Sequence, residues 1–274
     1  MTHVTTLTIQ PPRSHGTLHI AAKSRGAGAS AIADLRQQGS AKVLMTPARD
    51  AVEGIILNTS GGLTGGDTLA IQADAQSHAR LRLTTQAAER VYRSPDARFA
   101  RVRNTLTVAE GGRIDWLPQE TILFQNGALR RSLRVDMAPE AHALIVEPVL
   151  FGRLAMGEVV TEASLLDDLT IRRGDTVIFK DTTRLTGDIA AKLDKPAVGG
   201  GARAMALVVY AAPDADRHID PIRADLPNTA GVSLVHDGCL VLRALAPDGF
   251  ELRRTLIPIL ERLSGDTLPR SWRL

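Results

Sequence analysis

The residues best suited to chemistry are the glycine-rich run Ser60-Gly-Gly-Leu-Thr-Gly-Gly-Asp67, seven histidines, one cysteine and a scatter of carboxylates. The run follows a strand-like stretch, Ile55 to Asn58, as a phosphate-binding loop would. It lacks the Lys and Ser/Thr pair that contacts phosphate and magnesium, and strand-like rather than helical residues follow it. A tight turn in which glycine supplies positive φ is the better reading. Asp67, at its end, serves either that turn or a functional surface. Among the histidines only His15 and His19 are close in sequence. On one strand they share a face but stand roughly 13 Å apart, too far to chelate one ion. On a helix they would be adjacent, but Gly16-Thr17 argues against one. There is no Cys/His cluster, no G-x-S-x-G elbow and no distinctive acid–base pair of carboxylates. Cys239 falls in an apolar, strand-like context after a turn. These residues support neither catalysis nor a tight metal site.

What remains is a set of polar clusters that recur in a common setting. Thr84-Thr-Gln-Ala-Ala-Glu89, Pro118-Gln-Glu120, Glu147-Pro148 and Lys180-Asp181 each follow an apolar strand-like triplet. If the units that carry them stack in register, the clusters form a row of oxygens along one side of the body. Polar strand ends facing solvent would give the same pattern.

The elements that would hold these groups are mostly short strands. Residues 4–9 and 17–22 are β-branched or alternating. From residue 69 a strand–turn–strand unit recurs four times. Leu69-Ala-Ile71 leads to Leu81-Arg-Leu83, and Leu106-Thr-Val108 to Ile114-Asp-Trp116. Leu133-Arg-Val135 leads to Leu144-Ile-Val146, and Leu169-Thr-Ile171 to Val177-Ile-Phe179. Their unequal spacing is no true repeat. It still predicts coils that bury apolar rows against their neighbours, an irregular β-helix-like stack. A Greek-key sandwich would give much the same sequence. Helices are expected only towards the end, in two places. Asp214 can cap one over residues 214–226, and Asp248 with Glu251 can cap another over 248–263. Pro221 and Pro258 should kink or shorten them. Between the two, a hairpin is expected around Asp237-Gly238. No linker divides the 274 residues, so a single domain over 1–274 is expected.

Composition narrows the function classes. Hydrophobic residues are 44% of the chain but aromatics only 3%, so a core of aliphatic layers is expected. Few rings are left to stack on bases or sugars, and the basic residues are spread out, which argues against nucleic acid. Of the 33 basic residues 28 are Arg, suited to gripping carboxylates on an acidic protein partner or simply to a solvated surface. The lone cysteine fits a reducing compartment. Residues 1–20 lack a signal peptide's apolar core, and no window reaches 18 apolar residues. A cytoplasmic protein with no membrane segment is expected.

Four segments resemble the UreD/UreH family of urease accessory proteins. They are Asn58-Thr-Ser-Gly-Gly-Leu-Thr-Gly-Gly-Asp67, Thr84-Thr-Gln-Ala-Ala-Glu-Arg-Val-Tyr-Arg-Ser94, Trp116-Leu-Pro-Gln-Glu-Thr-Ile-Leu-Phe124 and Phe151-Gly-Arg-Leu-Ala-Met-Gly-Glu158, in that order. Weaker similarity extends to Pro269-Arg-Ser-Trp272. The resemblance implies a mainly β, β-helix-like body with two helices in its C-terminal part. It implies a non-catalytic scaffold that binds urease apoprotein and recruits UreF and the GTPase UreG, with UreE as a nickel donor. A homodimer within the assembly complex is compatible with it. No cofactor is expected, though nickel in transit is. Carboxylates and amides hold nickel more loosely than imidazole or thiolate, which suits passage better than storage. Asp67, Gln86, Glu89, Glu120, Glu147, Arg153 and Glu158 are therefore the candidates for a nickel path or for partner contacts. The competing classes are a β module binding a small ligand or polysaccharide, which would want an aromatic platform, and a hydrolase with scattered carboxylates.

Overall fold

The alternating residues of the chain build two facing sheets, seen in a computed structural model that describes residues 12–48, 50–265 and 268–273. The strand expected over 4–9 lies outside the described residues. Seventeen strands are present among those described. β1 (His15–Gly26), β2 (Ala29–Gly39), β5 (Thr68–Ala75), β8 (Ala100–Val108), β11 (Ala128–Met137), β13 (Ala163–Arg173) and β14 (Thr176–Gly187) form one sheet, in the order β14-β13-β11-β8-β5-β1-β2. The second sheet contains β3 (Ala41–Thr46), β4 (Val52–Asn58), β6 (Arg80–Thr85), β9 (Arg113–Leu117), β12 (His142–Phe151), β15 (Ala204–Ala211), β16 (Ala230–His236) and β17 (Cys239–Ala246). Its order is β16-β17-β15-β12-β9-β6-β4-β3, and the short strands β7 (Glu89–Val91) and β10 (Thr121–Leu123) attach beside β12.

The first three predicted units are coils of a solenoid-like stack. Each places its first strand in one sheet and its second in the other. Parallel partners stack in register, Leu69 on Val102, Val102 on Arg131, Leu83 on Trp116 and Trp116 on Ile145. A third parallel row runs from β7 through β10 to the end of β12. The alternation is visible within single strands. In β8 the side chains of Ala100, Val102, Leu106 and Val108 are buried between the sheets, whereas Arg101 and Arg103 are exposed. The fourth unit departs from the expected coil. β13 and β14 pair antiparallel in one sheet, because only Gly174, at φ +56°, and Asp175 join them, a two-residue turn that folds the chain straight back. Antiparallel pairs also flank the other end, β1 with β2 and β3 with β4.

Among the described residues three α-helices accompany the strands, where two were expected. α1 (Ile189–Asp194) follows β14, with the Asp188 carboxylate accepting from the Ala191 amide. The helix expected over 214–226 is shortened to a 3₁₀ turn, Ala215–His218, and α2 (Ile219–Ala224). Asp214 does not cap it, since its carboxylate instead accepts from the Tyr210 hydroxyl. α3 (Gly249–Ser264) is capped by Asp248 as expected and continues past Pro258. The hairpin expected around Asp237-Gly238 is β16–β17.

Burial falls into two apolar clusters. One fills the space between the sheets with aliphatic rows. The other lies on the outer face of the second sheet, where Leu144, Val146, Val208 and Leu242 meet Leu252, Leu256 and Leu260 of α3. Trp272 closes this second cluster, and its indole N–H donates to the Leu117 carbonyl at 2.9 Å. Cys239 opens β17 fully buried, and burial pushes its thiol pKa up to about 11.

Candidate functional site

Three interior rows break at one level of the stack. β11 places Arg131 between Leu129 and Leu133, β13 places Asp167 between Leu165 and Leu169, and β12 places Glu147 between Ile145 and Val149. Arg131 and Asp167 are register partners on adjacent strands. The guanidinium grips Asp167 with two bonds, Nε to Oδ1 at 2.9 Å and Nη2 to Oδ2 at 2.5 Å. From the same group Nη1 donates to Thr121 Oγ1 at 3.2 Å and lies 2.5 Å from Glu147 Oε2 across the interior. Trp116 donates its indole N–H to Glu147 Oε1 at 2.8 Å.

Burial dominates the electrostatics here. Arg131 and Glu147 are only 5% and 6% exposed. Burial acts against the Arg131 charge, but Asp167 and Glu147 outweigh it and hold the guanidinium protonated. For Glu147, burial raises the pKa and Asp167 adds to the rise, while Arg131 and the Trp116 N–H oppose it. The net direction is upward.

Glu147 borders two cavities. The first, of about 180 Å³, is walled by Leu69, Ile71, Val102, Trp116 and Leu129, with Asn104, Thr121 and Arg131 as polar lining. Its outer end lies between the glycine-rich turn, Gly61 and Gly62, and the segment from Gln86 to Arg90. Glu89 sits there, half-buried, with both carboxylate oxygens 3.2 Å from Asn58 Nδ2. Burial raises its pKa to about 7 despite that bond and the nearby Arg90 charge. The second cavity, of about 520 Å³, reaches from Glu147 and Asp167 past Leu207 to exposed Asn228, Thr229 and Arg243. At that end Arg243 pairs with Asp181 at 2.5 Å.

Three of the seven candidate residues, Gln86, Glu89 and Glu147, thus border one cavity. The other four sit elsewhere. Asp67 accepts from the Ser14 and Thr64 amides, both at 2.8 Å, and so closes the glycine-rich turn. Glu120 holds Arg253 of α3 on the outer face. Arg153 and Glu158 pair with each other at 2.9 Å, and Glu158 also accepts from the Gln125 and Arg153 amides. The expected row of oxygens does not form. Glu147 and Asp181 lie inside β12 and β14, and Glu120 is turned onto α3 rather than out to solvent. Asn58, Trp116, Arg131 and Asp167 complete the site and were not singled out for it. Arg131 carried a signal, as a charge on the apolar parity of an alternating strand.

His15 and His19 share β1 but turn to separate partners, Thr68 for one and Asp34 with Asp74 for the other. Among the described residues no group of three or more His, Cys, Asp or Glu side chains is placed to hold a metal ion. No described helix is long and apolar enough to cross a membrane.

The UreD urease accessory protein family model matches residues 14–273. This chain belongs to the UreD family. The urease accessory protein UreD of Roseobacter denitrificans is 45% identical over 266 residues, covering 97% of both chains. That of Ruegeria pomeroyi is 47% identical over 244 residues, covering 89% of this chain and 95% of its own. That of Sinorhizobium medicae is 42% identical over 273 residues, covering 97% and 98%. Three of the four UreD blocks seen in the sequence converge in space. The glycine-rich turn, the Thr84–Glu89 segment and the Trp116–Thr121 segment together wall the first cavity.

Proposed function

We propose that the chain is a non-catalytic, cytoplasmic scaffold for urease maturation. It binds urease apoprotein, and with UreF, the GTPase UreG and UreE as donor it supports insertion of nickel into the urease active site. Within this reading Gln86, Glu89 and Glu147 line a route for the nickel ion. Asp67, Glu120, Arg153 and Glu158 shape the surfaces around it, where the partners and a second copy of the chain would dock. The observation that carries the reading is the polar interior at Glu147. Carboxylates and amides reach from the surface at Gln86 and Glu89 into an otherwise aliphatic stack. Oxygen donors of this kind release nickel readily, as a conduit must.

Deleting this gene beside a urease operon and restoring it with variants tests the reading. Glu89→Gln and Glu147→Gln keep shape and hydrogen bonding but remove charge. Each should lower urease activation at limiting nickel while leaving pull-down of UreF unchanged. Normal activation by both variants defeats the route, and unchanged urease activity after deletion defeats the maturation role itself.

A further inference from the structure

The two cavities meet at Glu147, and the group lying between its carboxylate and that of Asp167 is the Arg131 guanidinium. We propose that Arg131 is a resident counter-cation that closes this bottleneck, and that a divalent ion crosses by taking its place between Glu147 and Asp167. The proposal rests on reading the cavities as a cation route.

Charge balance is the first support. One guanidinium faces two carboxylates, Glu147 buried and Asp167 partly buried, so the cluster carries one uncompensated negative charge whenever both are ionised. A divalent cation would balance both, and a monovalent ion would do no better than the arginine. Coordination is the second. Among the described residues Glu147 Oε2 has the Arg131 ion pair as its polar contact and no hydrogen bond from elsewhere, so moving the arginine frees a ligand oxygen there. Asn104, 4% exposed, lines the same cavity with its Oδ1 unpartnered among the described residues. Carboxylates and an amide carbonyl form the hard oxygen set that binds a divalent ion loosely. Geometry is the third. Thr121 and Asp167 steady the arginine in the closed position, while the 520 Å³ cavity adjoining Asp167 gives the long side chain somewhere to go. An arginine in this position also sets specificity. An ion must compete with a fixed, two-toothed grip on Asp167, which favours compact divalent ions over sodium or potassium.

Nickel binding to the full-length protein, followed by titration calorimetry with nickel chloride, tests the exchange without urease present. Arg131→Gln should bind one nickel ion at least about tenfold more tightly than the unaltered protein, because one charge a few ångströms away outweighs that factor even at an effective dielectric constant of about 20. Arg131→Lys keeps a charge for folding but reaches only one carboxylate as a point, and its affinity should fall between the two. The gain should vanish in the double variant Arg131→Gln/Glu147→Gln. Equal affinity in the unaltered, Lys and Gln proteins overturns the proposal, as does a gain that survives loss of Glu147. Either result alongside impaired urease activation by Glu147→Gln removes the counter-cation and leaves the route standing. Normal activation by Glu89→Gln and Glu147→Gln removes the route, whatever the calorimetry shows.

Discussion

The contact between Glu120 and Arg253 should decide whether α3 stays seated on the second sheet. Arg253 Nε donates to Glu120 Oε1 at 2.6 Å and Nη2 to Oε2 at 3.0 Å. The same nitrogen also donates to Gln119 Oε1, and the guanidinium carbon sits 5.4 Å from the centre of the Trp272 ring. Glu120 is 7% exposed and Arg253 24%, so removing the arginine leaves a carboxylate that water barely reaches. Breaking a fully buried pair from one side costs about 3–5 kcal/mol; the partial exposure here brings Arg253→Ala down to about 2–3 kcal/mol. Glu120→Ala should cost about 1–2 kcal/mol, because the arginine it abandons is better solvated. The double variant should cost no more than Arg253→Ala alone, giving a coupling of about 1–2 kcal/mol. Urea unfolding followed by tryptophan fluorescence reads all four corners of the cycle, with Trp272 as a local probe. Singles that add to within about 0.5 kcal/mol would refute the pair as the clasp of α3. On this account Glu120→Ala lowers urease activation through the seating of α3, unlike a loss at Glu147.

Two further outcomes follow from the walls of the first cavity. With its folded pKa near 7 and an unfolded value near 4.5, Glu89 favours the folded state below about pH 4.5 and loses that contribution as pH rises through 7. Glu89→Gln should therefore be the more stable protein at pH 8, by about 1 kcal/mol once solvent screening is allowed for, and should show no advantage at pH 4.5; matching urea midpoints at both pH values would contradict the burial of this carboxyl. At Gly62, whose φ is +149°, a Cβ would stand 2.3 Å from a Tyr92 ring carbon and 2.8 Å from the Arg90 carbonyl oxygen. Gly62→Ala should then cost about 1–3 kcal/mol by overpacking, seen as a lower urea midpoint, and an unchanged midpoint would mean that the turn moves freely.

The coils were legible because their chemistry is local. Alternation in Leu69-Ala-Ile71, Leu106-Thr-Val108 and Leu133-Arg-Val135 is enough to divide each strand into an inner and an outer face, and the stack follows. The fourth unit misled because the same alternation serves a hairpin as well as a coil. What separates them is the length of the connection, two residues between β13 and β14 against four within each coil, and strand ends are not fixed by alternation. α1 was hidden by its length, six residues with only Asp188 to announce it. The helix over 214–226 is shorter than expected because Asp214 has a stronger claim from Tyr210, near the end of the strand just before it.

The candidate site was legible only in part, for a related reason. Gln86, Glu89 and Glu147 stood out through their blocks and their polar type. That Glu147 faces Arg131 and Asp167 depends on which strands of the two sheets lie opposite each other. Such pairings join residues far apart in the chain, and spacing along it carries no record of them. Asp67, Glu120 and Glu158 looked equivalent to Glu147 as acids, yet their hydrogen bonds commit them to a turn, a helix and a loop.

Cys239 gives the molecule a native clock. Its thiol is fully buried where β17 begins beside β15, and its raised pKa leaves little thiolate at neutral pH. A thiol reagent can reach it only when this part of the sheet separates, so the labelling rate counts openings rather than collisions. Because there is one thiol in the whole chain, the signal needs no engineered probe. Docking of any partner across β15 to β17 would slow the clock, and docking elsewhere would leave it running.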